Sequence, residues 1–411
     1  RGDVWLSHLY GSWANEGRLC QEALEPGMKV IKNKDGVRNS HTSHAEVMFS
    51  LDGKPQENAG CVIGTALCYS GNYKLRIDTH DDEYHRFFAG INEENSAYSL
   101  KKDEIFRTPE LALTYSNEGL SGSSRNFHRW ARLHKLAHGT VPRKILLNSW
   151  EGVYFDVNQA GMDQMMSDIA SMGGELFVMD DGWFGDKYPR KNDSSSLGDW
   201  VVDKNKLPNG IEGLLKDAQK NGVKFGIWIE PEMANTTSEF YEKHPDWVIK
   251  APERDVVQGR GGTQVVLDLA NPQVQEFIFK IVDDLMSNYP EIDYIKWDAN
   301  MSILNHGSNY LTKDNQSHMY IEFHRGFEKI CQRIRAKYPD LTIQACASGG
   351  GRVNYGILPY FDEFWVSDNT DALQRIYMQW GTSYFFPAIA MASHISAAPP
   401  DFPHHSFKIS H

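Results

Sequence analysis

The sequence predicts an α/β protein: a (β/α)8 TIM barrel that lacks its last strand in this chain, preceded by part of an antiparallel β-sandwich. Before about residue 140, strand-like segments alternate with tight turns. After it, short apolar strands alternate with amphipathic helices. Apolar strands joined by helices are typical of parallel sheets covered on both faces, and a barrel closes them most simply. We therefore assign residues 1–140 to a partial β-sandwich domain and residues 141–411 to a C-terminally incomplete barrel.

Composition excludes several classes of protein. The chain has 411 residues, enough for a barrel and a companion domain. It carries 42 Lys and Arg against 54 Asp and Glu, a net charge of −12, which disfavours nucleic acid and anionic membranes as partners. The five cysteines include no C-x-x-C pair, so neither a disulfide framework nor a zinc knuckle is predicted. The sequence does not distinguish between the cytoplasm and the periplasm as the cellular compartment.

In the N-terminal part, residues 61–69 and 73–79 are predicted to form a hairpin around the turn Ser70-Gly71-Asn72, because Leu75 and Ile77 alternate with charged residues. Asp52-Gly53 indicates a second turn. The first helix of more than two turns is expected at residues 126–138.

In the barrel part, helices are predicted at residues 156–172 and 211–220, from Pro272 onwards, and along the stripe from Tyr320 to Ile334. The first of these is expected to bury a stripe formed by Met162, Met165, Met166, Ile169 and Met172. Seven strands are predicted, at residues 145–150, 175–181, 223–230, 292–298, 341–346, 362–367 and 387–393. No eighth strand is visible. Because residues 404–411 resemble the start of a continuing element, we expect a fragment of a longer protein.

Acidic and tryptophan side chains stand where these strands end, and the carboxyl ends of barrel strands form the active-site face. The residues concerned are Trp150, Asp180, Asp181, Trp228, Glu230, Glu232, Lys296, Asp298, Asn300, Cys346 and Asp368. Carboxylates bind sugar hydroxyls and indoles cover apolar ring faces. The pattern therefore favours a saccharide pocket.

Asp298 and Asp368 are the best pair to flank a glycosidic bond, one as nucleophile or base and the other as proton donor. A single Asp at a strand end is more often a helix cap, but several strand ends together weaken that reading. Lys296, two residues before Asp298 on a strand, is expected on the same side and to hold it ionised. Asp371 is expected to repel Asp368 and raise its pKa.

The remaining candidates have weaker signals. Asp180 and Asp181 have no His at ligand spacing, so sugar hydroxyls suit them better than a metal. The glycines after Cys346 lack the Lys-Ser/Thr of a P-loop and are interpreted as a close backbone approach to a ligand. Cys346 is more often a small buried residue than a nucleophile. Trp228 fits a core or a site equally well.

Together these residues resemble a known family. The segments VMDDGWFGD (178–186), GIWIEPEM (226–233), KWDAN (296–300), CASGGGR (346–352) and WVSDNTDA (365–372) are similar to motifs of glycoside hydrolase family 36, the bacterial and fungal α-galactosidases. The likeness runs from SHLYGSWANEG near the N-terminus to HISAAPP (394–400), nearly the whole chain. It implies that Asp298 is the nucleophile and Asp368 the acid/base. It places at substrate-binding positions Asp180, Asp181, Trp150, Trp228, Lys296, Asn300, Cys346 and Gly349.

The chain departs from the family motifs at one arginine position. The family often has Arg two residues before the Gln that precedes its VLDL segment, where this chain has Gly262 before Gln264. Arg260 is expected to bind substrate in its place through a longer loop.

The residues and the resemblance imply a retaining exo-α-galactosidase that hydrolyses terminal α-1,6-linked galactose in melibiose, raffinose-type oligosaccharides or galactomannan. The alternatives are an α-N-acetylgalactosaminidase, a galactosyltransferase of the same family, or an inactive sugar-binding fragment. Neither a metal nor an organic cofactor is expected. The resemblance also implies a homo-oligomer, a dimer or a tetramer.

Overall fold

The computed structural model of the protein describes residues 3–80 and 84–396. The chain divides into two units, the first formed by Arg1–Val141 with Ala345–His411 and the second by Pro142–Gln344. The division predicted from sequence, residues 1–140 and 141–411, has its boundary within one residue of the first of these but groups the residues after 344 differently. It stays a prediction. The continuing element expected at residues 404–411 lies outside the described residues.

The N-terminal part of the first unit is built from antiparallel strands. These are β1 (Trp5–Gly11), β2 (Arg18–Ala23), β3 (Gly27–Lys32), β4 (Thr42–Ser50), β5 (Val62–Cys68), β6 (Tyr73–Thr79), β7 (His85–Ile91) and β8 (Glu110–Ser116). They form two sheets of strand order β2-β1-β4-β5-β8 and β3-β6-β7. One apolar cluster takes Val47 and Leu67 from the larger sheet and Leu75 and Ile77 from the smaller. The antiparallel sheets predicted for this part are confirmed.

The predicted hairpin of β5 with β6 is wrong. β5 pairs with β4 and β8, whereas β6 pairs with β3 and β7. The two strands also differ in burial: β6 alternates buried and half-buried residues, while β5 is buried along most of its length. Alternation identifies the buried face of a strand but does not identify its partner.

The helix expected at residues 126–138 begins earlier. Helix α1 runs from Gly119 to Trp130 and continues into a π-helical turn at Ala131–Lys135. It packs on β5 so closely that a Cβ at Gly64 would lie 2.4 Å from Ser123 Oγ. This contact accounts for the burial of both faces of β5.

The second unit alternates parallel strands with helices, as predicted. Its elements are β9 (Leu146–Asn148), α2 (Trp150–Val153), α3 (Gln159–Ser171), β10 (Leu176–Met179), α4 (Gly210–Asn221), β11 (Lys224–Ile229), β12 (Met233–Asn235), α5 (Glu239–Lys243), β13 (Gln264–Val266), α6 (Pro272–Asn288), β14 (Ile292–Trp297) and α7 (Met319–Lys337). The parallel strands lie in the order β14-β11-β10-β9. β12 and β13 form a separate antiparallel pair. The carboxyl ends of the parallel strands therefore share one edge.

Local signals set the helix ends. The side chain of Asn158 accepts a hydrogen bond from Gly161 N and starts α3, three residues later than predicted. Met162, Met166 and Ile169 are buried as expected, but Met172 is 71% exposed because it follows the last turn. Asn271 caps α6, with Pro272 in its first turn.

The last predicted strands are the least accurate. β15 (Thr342–Ala345) agrees with expectation, but the strand predicted at residues 362–367 shrinks to β16 (Glu363–Phe364) and is followed by α8 (Ala372–Ser383). The strand predicted at residues 387–393 is wrong: Ala388–Ala390 is a 3-10 turn, and Met391 makes an isolated parallel bridge to Phe364. That segment is rich in Ala, which has low strand propensity. The α/β fold with parallel strands and antiparallel sheets is confirmed.

Among the described helices, none has both the length and the apolar composition needed to cross a membrane.

Helix α7 passes very close to the chain before α6, which yields a stability prediction. A Cβ at Gly326 would lie 1.9 Å from the carbonyl oxygen of Leu269, a backbone atom that cannot rotate away. Gly326→Ala should therefore lower the free energy of unfolding by about 1–3 kcal/mol, measured by urea denaturation. Gly90→Ala is the control, since nothing lies within 4 Å of a Cβ there. Equal stability of the two variants would contradict the packing described.

Candidate functional site

Buried carboxylates stand just beyond the carboxyl ends of the parallel strands in the second unit. Asp180 and Asp181 follow β10, Glu230 follows β11 and Asp298 follows β14. The parallel register brings these ends to one edge of the sheet, so the clustering predicted from sequence is present. A buried carboxylate is costly unless hydrogen bonds or cations compensate it. The partners of each therefore indicate what each can do.

Asp298 is held by N–H donors. Its Oδ2 accepts hydrogen bonds from Asn300 Nδ2 at 2.8 Å and from Trp228 Nε1 at 3.2 Å, and its Oδ1 accepts from Ala299 N at 2.8 Å. Both oxygens thus have donors, which fixes the plane of the carboxyl group. An oriented carboxylate of this kind can serve as a nucleophile or as a hydroxyl acceptor.

Lys296 pairs with a carboxylate that was not predicted as its partner. Its Nζ donates to Asp180 Oδ2 at 2.8 Å, and Asn148 Nδ2 donates to the same oxygen at 2.7 Å. Sequence reasoning had assigned this ammonium to Asp298. The pairing with Asp180 joins the ends of β9, β10 and β14 through one buried polar cluster.

Asp181 forms a buried ion pair that the sequence did not reveal. Arg190 is bidentate on it, with Nε donating to Oδ1 at 2.9 Å and Nη2 to Oδ2 at 2.7 Å. Burial raises the pKa of Asp181 above its ordinary value, and the guanidinium opposes that rise. Arg190 lies in a loop without periodicity, so no signal in the sequence distinguished it from a surface arginine.

Glu230 differs from its neighbours in protonation. It accepts hydrogen bonds from Gln264 Nε2 at 2.7 Å and Asn300 Nδ2 at 3.1 Å. Burial raises the pKa of Glu230 to about 8, and the charge of Asp298 adds to the rise. At neutral pH Glu230 therefore holds its proton.

Trp228 is packed in the core and also contacts Asp298. It is 1% exposed, its ring is stacked at 11° to Phe184 with centroids 6.2 Å apart, and its Nε1 donates to Asp298.

Trp150 was predicted to end a strand, but it is the first residue of α2 instead. It is half-buried, and its ring lies edge-on to the rings of Tyr154 and Phe155.

Arg260 lies in the short turn Arg260–Gly262 and pairs with Asp193, Nε to Oδ1, at 3.1 Å. Although burial works in the opposite direction, the carboxylates of Asp193, Glu230 and Asp298 raise the pKa of Arg260. Arg260 therefore interacts electrostatically with the carboxylates at the strand ends, and its predicted role in substrate binding stays a prediction. Gly261, at φ 64°, allows the tight turn that positions it.

In the first unit, two indoles hold Asp368. Trp365 Nε1 donates to Oδ1 at 3.0 Å and Trp13 Nε1 donates to Oδ2 at 2.8 Å. Trp13 was not a predicted site residue, although it lies within the SHLYGSWANEG segment. Asp371, expected to repel Asp368, instead caps α8 by accepting a hydrogen bond from Gln374 N at 2.9 Å.

The glycine segment beside Asp368 approaches the chain itself. Gly349 has φ +73°, and a Cβ there would lie 2.6 Å from Asp368 N. A Cβ at Gly350 or Gly351 would lie closer still, 2.2 Å from the carbonyl oxygen of Val366 or of Ala347 respectively. The glycines therefore allow close packing of backbone on backbone, whereas the sequence had suggested approach to a ligand. Cys346 is buried, as expected.

One group of side chains in the described residues has the composition of a metal site: His8, Cys20 and Glu22 on β1 and β2. Glu22 Oε1 already accepts hydrogen bonds from Lys29 Nζ at 2.6 Å and His8 Nε2 at 3.1 Å. An ammonium therefore neutralises the carboxylate that a cation would need.

The predicted site residues fall in both units. Asp180, Asp181, Trp150, Trp228, Arg260, Lys296, Asp298 and Asn300 belong to the second unit, and Cys346, Gly349 and Asp368 to the first. Their roles toward a substrate stay predictions.

Comparison with known proteins adds independent findings. A family model for melibiase matches residues 105–408, and a model for the glycosyl hydrolase family 36 N-terminal domain matches residues 1–101. Alpha-galactosidase AgaA of Geobacillus stearothermophilus is 36% identical over 398 residues, which cover 96% of this chain and 53% of that protein. Alpha-galactosidase C of Emericella nidulans is 38% identical over 407 residues, 97% of this chain and 52% of that protein. The chain spans about half the length of these curated relatives.

Solved structures of α-galactosidases also match this chain. The crystal structure of AgaA matches with a TM-score of 0.92 at 36% identity, covering 97% of this chain and 55% of that one. A variant of AgaA solved in complex with raffinose also matches with a TM-score of 0.92, at 35% identity, covering 96% and 54% of the two chains.

The raised pKa of Glu230 predicts a pH effect on stability. The folded state holds this proton up to about pH 8, whereas the unfolded chain releases it near 4.5. The contribution of Glu230 to stability is thus complete below about pH 4.5 and is lost as pH rises toward 8. Glu230→Gln cannot ionise, so its free energy of unfolding should fall less than that of the wild type between about pH 5 and pH 8. Urea denaturation across this range measures both curves.

The control for that experiment is Glu212→Gln, an exposed carboxylate in the first turn of α4, which should follow the wild type. If the Glu230→Gln curve ran parallel to the wild type as well, Glu230 would not be the group that holds the proton.

Proposed function

The chain belongs to glycoside hydrolase family 36, the melibiases, and on that premise we propose that it acts as a retaining exo-α-galactosidase. Its substrates would be terminal α-1,6-linked galactosides, such as melibiose, raffinose-type oligosaccharides and galactomannan side chains. The observation that carries the proposal is the carboxyl group of Asp298, held in one direction by N–H donors and surrounded by hydroxyl-binding groups at the carboxyl ends of parallel strands.

In the proposed mechanism, Asp298 attacks the anomeric carbon while Asp368 gives its proton to the departing glycosidic oxygen. The C–O bond to the leaving group breaks as the ester bond to Asp298 forms. Asp368, now ionised, removes a proton from water, and the resulting oxygen nucleophile releases galactose and restores Asp298. A retaining reaction of this kind requires the two carboxyl groups to be about 5–5.5 Å apart.

The surroundings of Asp298 suit the nucleophile. A carboxylate attacks only when ionised, and Glu230 beside it, with a pKa of about 8, is protonated at neutral pH and places no second negative charge next to Asp298. The N–H donors Trp228 and Asn300 leave the carboxylate fixed in direction, which lowers the entropy lost on reaching the reactive geometry.

The remaining polar groups suit galactose hydroxyls. Asp180 and Asp181 offer acceptor oxygens, and Lys296 and Asn300 offer donors, on one edge of the sheet. The proposal keeps Trp150, Trp228, Arg260, Cys346 and Gly349 as substrate-binding residues by resemblance. Variants of AgaA solved with raffinose and with stachyose support an oligosaccharide as the substrate.

Three structural expectations belong to the same proposal. The parallel strands of the second unit would be part of a (β/α)8 barrel, which the likeness to AgaA supports. Residues 1–140 would form a β-sandwich domain and residues 141–411 the barrel domain. A homo-oligomer, dimer or tetramer, is proposed from the resemblance.

The nucleophile is tested by Asp298→Asn. The amide keeps the shape of the side chain but cannot attack carbon, so turnover of nitrophenyl α-galactoside should fall by about a thousandfold or more. Galactose binding, measured by calorimetry, should persist. Asp293→Asn, on the same strand but paired with Lys144, is the control and should remain active. An Asp298→Asn protein within tenfold of wild-type turnover would refute the assignment.

The substrate class is tested by the group at the sugar's 2-position. The segment from Cys346 to Gly349 resembles the wall that galactose-specific relatives place beside this position, and a larger acetamido group should fit poorly. We expect kcat/KM for nitrophenyl α-galactoside to exceed that for its 2-acetamido analogue by about a hundredfold. The reverse preference would favour an α-N-acetylgalactosaminidase, and transfer to a sugar acceptor in preference to water would favour a galactosyltransferase.

A further inference from the structure

Glu16 is a buried carboxylate that the proposed mechanism does not use. It lies in the segment 12–17, which connects β1 to β2, and is 1% exposed. Its Oε2 accepts a hydrogen bond from Ser367 Oγ at 2.5 Å, and its Oε1 accepts from Gly350 N at 3.2 Å. His41 Nε2 lies 3.4 Å from Oε1. An ionisable side chain buried this deeply is expensive, so its position calls for a physical reason.

The Ser367 hydroxyl links Glu16 to the two residues that follow Ser367. The Ser367 hydroxyl donates its hydrogen to Glu16 and accepts a hydrogen bond from Asn369 N at 3.1 Å. This second bond closes a turn whose central residue is Asp368. With Glu16 as a strong acceptor, the Ser367 hydroxyl has one preferred direction, and the turn is held in one shape.

The neighbours of Glu16 reinforce the same turn. Trp13 Nε1 donates to Asp368 Oδ2 at 2.8 Å, and Asn369 Nδ2 donates to Ala14 O at 2.9 Å. Three successive residues after β16 are therefore contacted by one segment some 350 positions earlier in the sequence. On the other side, a Cβ at Gly349 would lie 2.6 Å from Asp368 N and 2.9 Å from Glu16 Oε1. The turn has little free space in which to shift.

We propose that Glu16 is a positioning residue for Asp368, acting through the Ser367 hydroxyl. The inference rests on the proposed function insofar as Asp368 is the acid/base. In this role Glu16 would act through Ser367 rather than by contact with the substrate or the reacting atoms. Its effect is to keep the Asp368 carboxyl aligned between the indoles of Trp13 and Trp365, and a displacement of about 1 Å can reduce proton transfer by up to about a hundredfold.

The kinetic test uses Glu16→Gln and substrates that differ in their need for an acid. Raffinose has a sugar leaving group that must be protonated, whereas a dinitrophenyl group leaves without protonation. Glu16→Gln should lower kcat/KM for raffinose by about tenfold to a hundredfold and that for dinitrophenyl α-galactoside by less than about threefold. Equal losses on both substrates would mean a merely structural role and would overturn the proposal.

Glu46→Gln is the matched control. Glu46 is also a fully buried carboxylate of the first unit, but it lies on β4 and accepts a hydrogen bond from Tyr355 N. Burial raises the pKa of Glu46 to about 8, so glutamine resembles its protonated form at neutral pH. This variant should show no dependence on the leaving group. If Glu16→Gln fails to fold, Ser367→Ala carries the test, because it removes the same link and should give the same selective loss.

A second measurement does not depend on activity. The indole N–H resonances of Trp13 and Trp365 report their hydrogen bonds to Asp368 and can be assigned with Trp→Phe variants. Glu16→Gln should shift both resonances and Glu46→Gln neither; unchanged resonances in Glu16→Gln would overturn the proposal. If the wild type hydrolysed no α-galactoside, the proposed function would fail, while these resonances would still decide whether Glu16 positions Asp368.

Discussion

The burial of several carboxylates at the ends of parallel strands is the constraint on which the second unit depends. Each one would destabilise the fold if left uncompensated, and each has a different compensation. Asp298 has N–H donors, Asp180 has an ammonium, Asp181 has a bidentate guanidinium and Glu230 retains a proton. Because each carboxyl group has different partners, each also has a different chemical character. The N–H donors around Asp298 fix the direction of its carboxyl group, which suits the nucleophile role proposed for it.

The two candidate reaction partners show contrasting exposure. Asp298 is buried and held by donors from its own unit, while Asp368 is half-buried between two indoles, one of which, Trp13, is 53% exposed. A nucleophile benefits from fixed direction, whereas an acid/base must exchange a proton with water in each cycle. The environments described for each unit separately are therefore consistent with the roles that the family resemblance implies.

Sequence reasoning succeeded where the signal was local. The helical stripe of α3, the proline at the start of α6 and the acids after β10, β11 and β14 were all readable, because periodicity and strand-end position are properties of short segments. It failed where no repeating pattern in the sequence identifies the contact partner. The pairing of β5 with β8, the ion pair of Arg190 with Asp181 and the contact of Glu16 with Ser367 join segments whose separation no periodicity encodes. Trp150 was misplaced because strand β9 ends at Asn148, two residues before it.

The segment 367–371 shows how neighbouring polar residues acquire separate tasks. The Asp371 side chain caps the first turn of α8, and the Ser367 hydroxyl hydrogen-bonds to Glu16 and to Asn369 N. Both side chains therefore stabilise the backbone conformation of the segment. Asn369 is tied to Ala14 O and also accepts a hydrogen bond from Asp371 N. Among these four residues, Asp368 is the one whose carboxyl oxygens are held by indole N–H groups, donors that can be given up without unfolding a helix or a turn. The proton-transfer role proposed for Asp368 needs such exchangeable partners, while the hydrogen bonds made by Ser367, Asn369 and Asp371 hold the backbone on either side of it.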